Sequence, residues 1–96
     1  VNKHSRIVVP LIDALTEADN KTLAPEEAMA LKDLRKSVNR CLDSMSPEKR
    51  KLLQFKYWQN LSYREIGKIL NITDRAAEGR LYRAKEEFEK VWNEGK

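Results

Sequence analysis

Apolar residues recur along most of this chain at the three- and four-residue spacing of a helix, and polar starts and stops divide them into segments. Ala28, Leu31, Leu34, Val38, Cys41 and Leu42 form one such stripe, which predicts an amphipathic helix. Ala24-Pro25-Glu26-Glu27 opens it. Proline suits the first helical position, where the amide has no partner, and carboxylates suit the positive end of the helix dipole. Ser46-Pro47-Glu48 is a second start, with Ser46 as cap, leading into Leu52, Leu53, Phe55 and the pair Tyr57-Trp58 and ending near Asn60. Ser62-Tyr63-Arg64-Glu65 has the form of a capping box, ahead of a short helix with Ile66, Ile69 and Leu70 as its apolar underside. Asn71 breaks that helix, because asparagine tolerates the left-handed backbone of a sharp turn. Thr73 then caps a fourth helix, with Ala77, Leu81, Ala84, Phe88 and Val91 on its inner face.

Residues 1–22 lack any sustained period, contain Pro10, and end in the polar run Asp19-Asn20-Lys21-Thr22. They predict an interdomain linker over residues 1–23, with at most a short helical turn from Ile12 to Ala18, ahead of one domain over residues 24–96. The expected fold class is all-α, a small bundle of about four helices containing a helix-turn-helix and no wing.

A chain of 96 residues is the size of one small domain. Only three glycines and three prolines exclude collagen-like and low-complexity classes. No apolar run approaches the roughly 20 residues of a membrane span, and no secretory signal is visible, so a cytoplasmic location is expected. Cys41, the only cysteine, forbids an internal disulfide and a multi-cysteine zinc site. A first residue of Val rather than Met is what a piece of a longer protein would show.

Charge changes the picture once it is located. Residues 1–45 carry seven bases against seven acids, residues 46–83 nine against four, and residues 84–96 three against four. A middle segment that holds the whole positive excess suits a polyanion, because each neutralised phosphate releases counterions.

The helix of about nine residues, the turn at Asn71 and the longer arginine-rich helix together outline a helix-turn-helix. With Ala77, Leu81, Ala84 and Phe88 inside, Arg75, Gly79, Tyr82 and Glu86 face most nearly outward, flanked by Glu78 and Arg83. The base-reading candidates are Arg75, Ala76, Glu78, Gly79 and Tyr82: arginine can donate two hydrogen bonds to guanine, and glutamate can accept one from the amino group of cytosine. Gly79 either lets the backbone approach DNA closely or is simply tolerated in a helix. Tyr63, Arg64, Lys68, Arg80 and Arg83 are the candidates for holding phosphates.

Catalysis is poorly supported, and the chain is not expected to be an enzyme. His4 is the only histidine and lies far in sequence from Cys41, which on its apolar stripe reads as a small buried hydrophobe. Glu86, Glu87 and Glu89 read as a solvated helix end rather than a metal site. No cofactor or metal is expected.

From Met45 to Phe88 the sequence resembles region 4, the C-terminal promoter-reading region, of RNA polymerase sigma factors of the extracytoplasmic-function class. The resemblance runs through Arg50, Phe55, Leu61-Ser62-Tyr63, Glu65-Ile66, Ile69-Leu70, Arg80-Leu81 and Arg83-Ala84-Lys85, and the Pro25-Glu26-Glu27-Ala28 start is typical of the same family. It implies a domain that reads double-stranded promoter DNA at the minus-35 element and docks on the β flap of RNA polymerase, with no membrane partner. The preceding linker would join it to a domain that reads the minus-10 element. Three departures stand out. Ala76-Ala77-Glu78-Gly79 replaces the usual Thr-Val-Lys-Ser, removing a hydroxyl and a positive charge where DNA is read. Gly67 stands where Ala is usual and Asn71 where Gly is usual, both mild changes in backbone freedom. Met45-Ser46 replaces a common Leu-Pro. Two other readings remain: a free-standing helix-turn-helix regulator that binds DNA as a dimer, and a helical interaction module bound by an anti-sigma factor.

Overall fold

The computed structural model describes residues 8–19 and 22–94. Five helices follow in order: α1 (Val8–Asp19), α2 (Pro25–Asp43), α3 (Pro47–Leu53), α4 (Tyr63–Leu70) and α5 (Asp74–Glu94), with a π-helical turn, Gln54–Trp58, continuing α3. No strand occurs among the described residues, and the fold is an all-α bundle. The longest helix, α5, is its hub and packs against α1, α2, α3 and α4. Leu53, Ile66 and Leu81 are essentially fully buried at the centre, joined by Val38, Cys41 and Leu42 of α2 and by Ala77, Ala84 and Phe88 of α5. The Cys41 thiol touches the Phe88 carbonyl oxygen at 3.5 Å, and burial pushes its pKa up to about 11. It is a packing group, as its place on the apolar stripe predicts.

The local signals act as their chemistry dictates. The Ala24 amide donates to the Glu27 carboxylate at the start of α2. At α4 the Ser62 amide donates to Glu65 at 2.9 Å and the Glu65 amide to the Ser62 hydroxyl at 3.1 Å, so two orphan donors are satisfied reciprocally. The first-named bond, the amide's, does most to hold the Glu65 carboxyl below its ordinary pKa.

Four features differ from the sequence reading. The segment expected to be irregular is helical over Val8–Asp19, with Val8, Ile12 and Leu15 buried in the shared core. Pro10 fits there because it lies in the first turn, where its missing amide breaks no helical bond. The stripe of α2 is fully buried only in its second half: Ala28 is exposed, and Leu31 and Leu34 are half-buried, packed against the edge of the core. Ser46 starts α3, but its hydroxyl makes no cap bond. Its amide and hydroxyl instead donate to the Glu87 carboxylate at 2.8 and 3.2 Å. Finally, Ile69 is 56 % exposed. At about 100° per residue, Tyr63 and Leu70 fall between Ile66 and Gly67 on the buried side of α4, and Ile69 falls outside it.

Candidate nucleic-acid interface

The interface is built around the turn between α4 and α5. Asn71 adopts φ 59° and ψ 47°, the left-handed conformation, and the Ile72 amide donates back to the Gly67 carbonyl at 2.8 Å. Gly67 is more constrained than a mild substitution implies. A β-carbon there would lie 2.7 Å from the Ile72 carbonyl oxygen, closer than packed atoms approach. Glycine thus lets the chain leaving the turn fold tightly against α4. Thr73 starts α5, its hydroxyl accepting from the Ala76 amide at 3.1 Å.

Burial of Ala77, Leu81, Ala84 and Phe88 fixes the rotation of α5. Arg75, Ala76, Glu78, Gly79 and Tyr82 are all exposed as a result, and so are Arg80 and Arg83. Gly79 has open space where a side chain would stand, with no atom within 4 Å. Arg64 and Lys68 are exposed one turn apart on α4. Tyr63 stands apart from the other phosphate candidates. It is half-buried against the core, with the Lys56 ammonium 4.5 Å from its ring centre, a cation–π contact.

Arg80 and Arg83 line an open groove between α3 and α5 with Glu48, Lys49 and Lys51, over Leu52, Phe55 and Leu70. The place of these two lysines of α3 beside α5 was missed by sequence reasoning. Their distance from α5 along the chain hides the juxtaposition, and only packing shows which flank of α3 meets which flank of α5. Lys49 also pairs with Glu87 at 3.4 Å. Burial alone would raise the Glu87 carboxyl, but the Ser46 amide and hydroxyl and the Lys49 ammonium outweigh it and hold the carboxyl below its usual value. Glu87, expected as part of a solvated helix end, therefore ties the start of α3 to α5.

The opposite flank of α5 is structural. Lys85 is buried with its ammonium 5.7 Å from the Tyr57 ring centre, and Phe88 stacks on Trp92 at 5.9 Å. Burial first, and then the nearby Asp13 carboxylate, raise the Tyr57 pKa. Exposed cations lie on α4, on the outward side of α5 and on its α3 flank, and a separate set, Lys32, Arg35, Lys36 and Arg40, lies on α2.

The sequence that carries this short helix, left-handed turn and longer arginine-bearing helix matches the family described as Sigma-70, region 4, over residues 35–88. The chain belongs to the sigma-70 region 4 family. It is therefore a DNA-binding helix-turn-helix domain of the sigma-factor type, belonging to transcription. The match spans the second half of α2 through Phe88 and thus includes both halves of the helix-turn-helix. Comparisons with curated proteins and with solved structures gave no match. No helix among the described residues is long and apolar enough to cross a membrane.

Proposed function

We propose that this sigma-70 region 4 domain belongs to the extracytoplasmic-function class and directs transcription initiation by reading the minus-35 promoter element. The domain works in the cytoplasm and acts by placement, with no reaction of its own. The N-terminal half of α5 enters the major groove. Arg75 contacts guanine, while Arg64, Lys68, Arg80 and Arg83 hold phosphates and set the register. The observation that carries this reading is the exposure of Arg75, Arg80 and Arg83 on one helix whose rotation is fixed by four buried residues.

Docking on the polymerase β flap is the second half of the proposal. A groove bounded by α1, α2 and the π-turn contains no residue of α5. Ile12, Leu15 and Val38 form its apolar floor, and Tyr57 and Trp58 stand on its wall. A partner seated there would leave Arg75 and its neighbours accessible.

The test is titration of the chain with a purified β-flap segment, followed residue by residue by NMR. Saturable binding that shifts resonances of α1, α2 and the π-turn but leaves the face around Arg75 free is expected. Absence of flap binding, together with tight and dimer-dependent binding to duplex DNA, would replace this reading with that of a free-standing regulator. Charge reversal at Arg75 and Arg83 that abolishes binding of a protein inhibitor but leaves DNA binding intact would instead indicate an interaction module.

A further inference from the structure

The outward face of α5 carries a carboxylate where cations would bind DNA best. Glu78 lies one helical turn after Arg75, and both side chains are exposed. Neither forms a hydrogen bond or ion pair with another described residue. Close to phosphates the Glu78 charge is repelled, so its presence in the groove requires a compensating donor. An ionised carboxylate can only accept. In the major groove guanine presents the acceptors N7 and O6, and thymine the acceptor O4 and a methyl group. Adenine sets its N6 donor beside the N7 acceptor, and only cytosine offers its amino donor without an acceptor on the same edge. Three of the four bases thus turn at least one acceptor toward Glu78.

Gly79 adds an independent observation. No atom lies within 4 Å of the place a β-carbon would occupy, so internal packing does not require glycine, and glycine is a poorer helix former than alanine. Its bare backbone beside Glu78 brings the helix closer to the base edges and shortens the span that the glutamate must cover. The rise from residue 75 to residue 78 is about 4.5 Å, comparable to the base-pair step of about 3.4 Å. Arg75 and Glu78 therefore reach the same base pair or adjacent ones.

We infer that Glu78 is a specificity determinant: it selects a cytosine within one base pair of the guanine that Arg75 contacts. The inference rests on the DNA-reading function proposed above. Its test is selection of randomised duplexes at low salt on the 96-residue chain, run in parallel for wild type, Glu78→Gln and Glu78→Ala, with far-UV circular dichroism to confirm equal helicity. Wild type should enrich a fixed cytosine. Glu78→Gln should move that position to adenine by about tenfold or more, since glutamine pairs bidentately with adenine, and Glu78→Ala should leave it without preference. If both variants instead bind every duplex more tightly by one common factor and enrich the same sequences as wild type, Glu78 is only a repulsive charge and the inference fails while DNA reading stands. If no duplex is retained by wild type, the DNA-reading proposal itself fails.

Discussion

Replacing Gly79 with alanine should strengthen the fold and weaken DNA binding at once. Gly79 lies inside α5, five residues after its start, and its φ is not positive. An added methyl meets nothing within 4 Å, so neither steric conflict nor backbone strain opposes the change. What remains is the intrinsic difference between glycine and alanine in an exposed helix interior, about 0.8–1.0 kcal/mol in favour of alanine. For a domain of this size that is a rise in melting temperature of roughly 4–8 °C, readable by circular dichroism, and a shift of the urea midpoint by about 0.5 M. The same methyl holds the helix backbone away from the groove floor, so affinity for a selected duplex should fall. An unchanged or lowered melting temperature would refute the claim that the site is open and helical in the folded state. Undiminished DNA affinity would refute close backbone approach, and with it the supporting argument for the reach of Glu78.

Three further outcomes follow from the same geometry. Gly67→Ala places a β-carbon 2.7 Å from a backbone oxygen; overpacking of about 1–3 kcal/mol should exceed the gain in helix propensity, and a urea midpoint equal to or above wild type would contradict it. Arg75→Ala should relax specificity at one base pair and weaken binding by about 1–3 kcal/mol, whereas Arg83→Ala should weaken all duplexes alike and lower the salt slope by about one unit; equal losses for both variants on every duplex would overturn the division between reading and positioning. Glu65 and Glu87 are both held below their ordinary pKa in the folded state, so their stabilisation is complete above the unfolded carboxylate pKa and is lost as pH falls through the folded values. Glu87→Gln should therefore flatten the acid side of the stability curve, measured by urea unfolding at a series of pH values, and an unchanged acid limb would mean that the Ser46 and Lys49 contacts contribute nothing.

What the sequence made legible were features whose cause lies within four or five residues. The Ser62–Glu65 box, the left-handed Asn71 and the Thr73 cap are each complete interactions of neighbouring residues, so residue type and spacing sufficed. The inner face of α5 was equally legible, because four buried positions at helical spacing determine a single rotation. Ile69 shows where this stops. In an eight-residue helix a spacing of three from Ile66 fits a buried phase as well as a spacing of four, and the choice belongs to what packs against it. The π-turn had no glycine or proline to announce it. In it the Gln59 amide reaches the Gln54 carbonyl at 2.9 Å, and Trp58 is 46 % exposed beside the half-buried Tyr57. Helix α1 escaped because a 12-residue segment with a proline has too little intrinsic propensity to be read alone, and its stability comes from burying Val8, Ile12 and Leu15 on the other helices.

Tertiary packing also changes what the charge distribution means. By sequence the positive excess of residues 46–83 is a single quantity, but folding sorts its members into different work. The Lys49 ammonium is drawn to Glu87 and Lys56 sits over Tyr63; just beyond the segment, Lys85 sits buried beside Tyr57. These cations stabilise the bundle and are poorly placed to release counterions on meeting DNA. Arg64, Lys68, Arg75, Arg80 and Arg83 are exposed, and Lys51 joins the last two across the groove. With Arg75 on a base edge, the other five as phosphate contacts would give a salt slope of about −4.5, enough electrostatic affinity to hold a duplex in register while selectivity is left to the base edges. On such a face a carboxylate weakens general attraction and sharpens discrimination, which is the role assigned here to Glu78.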